Sequence, residues 1–139
     1  SNTLAAFTLN SETHTTVSTL QSQFDFLSDF KNFSAILPED KVENFTCSGD
    51  QCSFSIKGIT PLTIRLVEKK ACRFILFSSE GLAKFNFSLK VDFVGEAAMP
   101  GQCTVHLMGD LNPFILNMAR KPLEGLANTM AYKLSQLKL

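Results

Sequence analysis

The chain has no tryptophan and a single tyrosine, Tyr132, among its 139 residues. Aromatic side chains with a polar handle, the ones that suit half-wet sites, are therefore almost missing. Histidine is nearly as scarce, with only His14 and His106. An excess of either charge is also absent, because 13 Lys and Arg balance 13 Asp and Glu. That balance shows nothing resembling the overall basic excess of a nucleic-acid binder or of a polybasic membrane surface. No apolar run approaches the ~20 residues of a transmembrane helix. No glycine-rich phosphate loop, HExxH, Ser-His-Asp set or paired carboxylates at usable spacing occurs, so no motif points to a reaction. Cys47, Cys52, Cys72 and Cys103 form no CxxC and show no zinc-site spacing, and neither a metal nor a cofactor is expected.

Phenylalanine is what the chain has in plenty, with 13 copies. Phe85, Phe87 and Phe93 alternate along one run, while Phe26, Phe30 and Phe33 recur at helical spacing along another. Such side chains bring large apolar area and no hydrogen bonds, which suits a packed core or a cavity for an apolar ligand. At this length the chain reads as one domain, 1–139, able to bury roughly two-thirds of its unfolded surface.

Cys47 and Cys52 flank Ser48-Gly49-Asp50-Gln51, read as a four-residue hairpin loop. A disulfide across that hairpin is geometrically possible. The favoured reading is a reduced pair of small apolar side chains in a cytoplasmic protein. Sequons at Asn32, Asn44 and Asn86 would matter only after secretion and are read as chance. The chain opens Ser-Asn with no visible leader, and whether one was trimmed stays open.

Periodicity sets the element order. A Thr-rich strand over 7–17 places Phe7, Leu9, Thr13, Thr15 and Val17 on one parity. Ser18 then starts a capping box with Gln21, opening a helix to about Phe30. A second short helix carries Phe33, Ile36 and Leu37 and stops at Pro38. Six strands follow at 42–47, 52–57, 62–69, 72–80, 85–94 and 102–110, joined by short turns as an antiparallel meander. Asn112 and Pro113 cap a C-terminal helix with an apolar stripe of Leu123, Leu126, Met130, Leu134 and Leu137, preceded by Phe114 and Met118. Pro122 and Gly125 interrupt it, giving either a kink at 118–125 or two helices. The expected fold is α+β: a curved antiparallel sheet of about seven strands gripping a long C-terminal helix, with two short helices after the first strand.

This order, with Phe26-Leu27-Ser28-Asp29-Phe30, Leu37-Pro38, Cys52-Ser53-Phe54-Ser55-Ile56-Lys57-Gly58, Ser79-Glu80-Gly81, Asp110-Leu111-Asn112-Pro113 and Lys121-Pro122-Leu123, resembles the START-like (SRPBCC) helix-grip superfamily. That superfamily includes birch-pollen-allergen relatives, polyketide cyclases and lipid-transfer domains. The likeness is to its small single-domain bacterial members. It implies a cavity between sheet and helix of the kind that holds lipids, sterols, quinones or polyketides in relatives, and it implies no chemistry.

In such a fold, Phe54, Ile56, Ile64, Leu66, Phe87, Leu89, Val105 and Leu107 are expected to face Met118, Leu126 and Met130. Polar handles could come from Arg65, Glu80, Arg73 or Tyr132. Arg65, alternating with Leu62, Ile64 and Leu66, is better read as outward, and Glu80 beside Gly81 as a turn residue. His106 is better read as a surface residue than as a base, since Asp110 four positions along the strand is ~13 Å away. Pro122 and Gly125 could form a gate, with 58–61 and 81–84 as its facing lip; equally, Pro122 could start the second of two static helices. Binding or transport of a small apolar ligand is the first functional reading, and no catalytic residue is assigned. A protein-interaction module of ribosome- or chaperone-binding type is the second, needing an exposed apolar patch, and a cyclase- or dehydratase-like enzyme the third.

Overall fold

A computed structural model describes residues 3–57, 61–79 and 86–139. The Thr-rich opening segment forms two strands, β1 (Ala5–Asn10) and β2 (His14–Thr19), where one was expected. Both pair with the last strand of the chain, but the register slips by one residue between Asn10↔His106 and His14↔Cys103. Ser11 anchors the bulge. Its N–H donates to the Val105 carbonyl and its Oγ accepts from the Val105 N–H, both at 2.8 Å. An extra residue inverts side-chain parity. Phe7, Leu9 and Ser11 therefore point inward, then Thr16 and Ser18, and Val17 is left 49% exposed. The single parity expected through Val17 is corrected at this bulge.

The helix α1 (Leu20–Ser28) is capped by Thr19, whose Oγ1 accepts from the Ser22 N–H at 3.2 Å. Ser18, the expected cap, is engaged elsewhere: its Oγ donates to the Leu137 carbonyl and accepts from the Leu139 N–H. Asp29 closes α1, and its carboxylate accepts from the Lys31 N–H to start a 3-10 helix, Phe30–Ile36. Pro38 then ends the helical segment by disfavouring helical φ/ψ at Leu37.

The period-two run forms β3 (Val42–Ser48), β4 (Gln51–Ile56), β5 (Leu62–Lys70), β6 (Phe74–Ser79), β7 (Phe87–Val94) and β8 (Pro100–Leu111). The expected Phe85 start of β7 lies outside the described residues. Every pairing is antiparallel, in the order β1-β8-β7-β6-β5-β4-β3 with β2 also on β8. Asn44, at φ 57°, marks a second bulge in β3, in a backbone region that Asn tolerates better than most residues. After Leu111, Asn112 Oδ1 accepts from the Phe114 N–H at 2.8 Å and Pro113 opens α2 (Pro113–Gln136). Helix α2 runs through Pro122 as one element, so the two-helix reading is corrected. Pro122 still leaves the Met118 carbonyl without its helical donor.

Helix α2 packs against β8, β2, β1 and the 3-10 helix. Ala127 and Ala131 are fully buried on its inner face, where small side chains permit close approach to the sheet. Phenylalanine fills the other side. Phe30, Phe33, Phe45, Phe54 and Phe77 form one ring cluster, with Phe33 and Phe77 centroids 5.0 Å apart. The Phe26-to-Phe33 recurrence thus belongs to two elements, α1 and the 3-10 helix.

The β3–β4 hairpin corrects the reduced-cysteine reading. Its turn is the two-residue Gly49-Asp50, tighter than expected, with Gly49 at φ 64°, so Cys47 and Cys52 lie directly opposite. Their Cα atoms are 4.1 Å apart and the sulfurs are bonded. Cys72 and Cys103 are free and buried. Cys103 Sγ donates to the Ala131 carbonyl at 3.6 Å, and burial pushes its thiol up to about 12. Unfolded, unreduced protein is therefore expected to titrate two thiols, rising to four after reduction; four without reductant would sink the disulfide assignment. In the folded state Cys103 should resist thiol reagents at neutral pH, because little thiolate is present to react.

Candidate functional site

Alternation along the strands turns one face of the sheet inward, and the residues expected on that face are mostly there. Phe54, Ile56, Ile64, Phe87, Leu89, Val105, Leu107, Leu126 and Met130 are buried in one apolar cluster. Leu66 is only half-buried at its edge, where β5 bulges between Leu66 and Glu68. Met118 is not among them. It is 79% exposed, and Ala119 and Leu116 take the inward positions. Because α2 is continuous, its phase carries back from Leu123, and at ~100° per residue Met118 falls about 140° away around the axis.

Between the sheet and the first half of α2 lies a gap lined by Phe7, Leu62, Phe87, Leu111, Ile115, Ala119 and Leu123. Five elements converge on it: β1, β5, β7, β8 and α2. Strands β1 and β7 bring Phe7 and Phe87 opposite Gly109 of β8, and the α2 start brings Ile115, Ala119 and Leu123 on one helical face. Among the described residues the lining is wholly apolar. Its volume is about 20 Å³, roughly the room for one water. Of these residues only Phe87 is among those expected in the cavity; Phe7, Leu62, Leu111, Ile115, Ala119 and Leu123 are not, because nothing in the sequence marks which strand ends meet a helix start. The stretches expected as a facing lip, 58–61 and 81–84, lie outside the described residues except for Pro61.

The expected polar handles do not converge on this gap. Arg65 alternates with buried Leu62 and Ile64, on the opposite face of β5. Tyr132 is 54% exposed, and its ring meets His14 edge-on with centroids 5.6 Å apart. Arg73 lies in the β5–β6 turn beside a shallow depression on the outer face, shared with Lys70, Phe74, Asp92 and His106. Glu80 lies outside the described residues. His106 is also on the outer face, with Nε2 2.8 Å from Asp92 Oδ2 and Nδ1 2.7 Å from Asn10 Oδ1. Its partner is Asp92 on β7 rather than Asp110, a diagonal contact set by the β7–β8 register.

No family profile matches the chain, and no curated protein matches it. Its architecture is nonetheless the START-like, Bet v1-like helix-grip fold, as solved structures show. Norcoclaurine synthase from Thalictrum flavum, in complex with dopamine and hydroxybenzaldehyde, superposes with a TM-score of 0.70 at 10% identity, over 95% of this chain and 86% of that one. The Mll3558 protein of Rhizobium loti gives 0.63 at 14% identity, over 94% and 99%. The protein XoxI from Bacillus cereus gives 0.60 at 13% identity, over 94% and 93%. At these identities the likeness concerns the fold.

Gly109 holds the gap's geometry. A Cβ there would run into the Asn86 carbonyl oxygen and come within 3.1 Å of the Phe7 ring. The Asn86 carbonyl cannot retreat freely, since it accepts from the Asp110 N–H at 3.1 Å. Gly109→Ala is expected to cost about 1–3 kcal/mol, as overpacking does. Urea unfolding reads this as a lower midpoint at constant slope, and an unchanged midpoint would contradict it.

Proposed function

We propose that the protein binds a small apolar molecule at the end of the sheet where α2 begins. The observation that carries this reading is the gap itself: sheet and helix supply an entirely apolar lining, and Ile115, one of its walls, is 51% exposed. A hydrocarbon-like guest such as a lipid, quinone or polyketide suits such walls, because its binding desolvates no polar group. The norcoclaurine synthase complex supports the reading to the extent that a protein of this fold is found in complex with two small aromatic molecules, dopamine and hydroxybenzaldehyde.

A gap of about 20 Å³ admits such a guest only if the wall moves. The first half of α2 is the part able to yield. Pro122 breaks the ladder at the Met118 carbonyl, and Gly125 costs roughly 1 kcal/mol of helix propensity relative to Ala. Loading by displacement of Ile115 and Leu123 therefore joins the kink-as-gate idea to the lining residues. Binding is preferred to catalysis because, among the described residues, the lining offers no acid or base within reach of a guest.

Native mass spectrometry with organic extraction tests occupancy, and uptake of a neutral naphthylamine fluorophore tests capacity. Uptake by the native chain and its loss in Ala119→Leu, with the circular dichroism spectrum unchanged, are expected. No uptake and no extracted ligand would overturn the reading. Pro122→Ala with Gly125→Ala should slow probe release, and an unchanged release rate in that variant would remove the gate.

A further inference from the structure

The first half of α2 is apolar on two sides. Leu116, Ala119 and Leu123 face the core, yet Phe114 is 82% exposed, Ile115 51% and Met118 79%. Phe114 and Met118 are four residues apart and so share a face. Leu4 is also exposed, next to Ala5, which pairs with Leu111 just before the helix. Large side chains exposed together in this way mark a contact surface.

Charge indicates what the surface meets. Arg120 and Lys121 are both exposed and follow Met118 directly, while no carboxylate occurs from Leu111 to Leu123. The first turn of the helix likewise carries no acidic residue, so the positive end of its dipole is unopposed. A chain of zero net charge thus concentrates two cations and three large apolar side chains on a few turns. An apolar wedge bordered by Arg and Lys is the pattern of a helix that lies in a membrane interface, its apolar side chains among the acyl boundary and its cations among anionic headgroups.

We infer that this face of α2, with Phe114, Ile115 and Met118 as the wedge and Arg120 and Lys121 as headgroup contacts, docks the protein on an anionic lipid bilayer. The contact is peripheral, since no described helix is long and apolar enough to cross a membrane. Phe114, Met118, Arg120 and Lys121 lie outside the gap's lining and only Ile115 borders it, so the contact does not depend on the gap being occupied.

Co-sedimentation with phosphatidylcholine vesicles, with and without phosphatidylglycerol, tests the inference on the full chain. Binding to the anionic vesicles, weakened by salt, is expected. Phe114→Asp with Met118→Asp should abolish it. Arg120→Gln with Lys121→Gln should weaken it by between about fivefold and thirtyfold, given the usual contribution of a basic residue near an anionic surface. All four positions are exposed, so the variants should keep the native circular dichroism spectrum. Absence of binding to anionic vesicles would overturn the assignment, as would equal binding to neutral ones. Self-association or capture of a protein partner through the same face, abolished by Phe114→Asp with Met118→Asp while vesicles stay unbound, would also overturn it. Naphthylamine uptake is measured separately, so loss of vesicle binding with intact uptake separates this inference from the proposed ligand site.

Discussion

Keeping one broad face of an antiparallel sheet dry is the constraint on which the rest of this structure depends. A single helix is about 10 Å wide, too narrow to cover the inner face of so many strands. The molecule divides the task. Where α2 lies on β1, β2 and β8, the fully buried Ala127 and Ala131 let helix and sheet approach closely. Toward β3, β4 and β6, the 3-10 helix and the phenylalanine cluster supply bulk in place of a second helix. The scarcity of Tyr and Trp follows from the same constraint, because a hydroxyl or indole N–H in that cluster would need a buried partner.

Where apolar side chains reach past the core, the fold exposes its usable surfaces. The 114–122 segment has more large apolar residues than its inner face can accommodate, so some border the gap and others face solvent. The proposed ligand site and the proposed bilayer contact are therefore two sides of one helical segment. Pro122 lies within that segment, so on these two proposals a bend there would move both surfaces together.

Much of this fold was legible in sequence because its periods are clean. Phe87, Leu89, Val91 and Phe93 alternate without interruption and are buried as a row, and Asn112-Pro113 fixes the start of α2. What could not be read arises where one residue resets a pattern. The Ser11 bulge inverts Val17, and nothing in a run of Thr and Ser marks it before β8 is known to be the partner. Met118 misled for another reason. With apolar residues on two faces, periodicity cannot choose the inner one, and a sequence that allows either a kink or two helices at 118–125 does not show that the phase carries through Pro122. The His106–Asp92 contact depends on strand register, which depends in turn on the turn between β7 and β8.

The pairing of the first strand with the last also orders the life of the chain during synthesis. Among the described residues strand β1 pairs only with β8, so Ala5 and Phe7 wait for Gly109 and Leu111 to be made. At typical elongation rates of about 5–20 residues per second that wait lasts roughly 5–20 s. Until then an apolar, Thr-rich strand has no native neighbour. Helix α2 follows β8 directly and covers β1 and β2. A helix made after β8 is therefore what shelters strands made long before it.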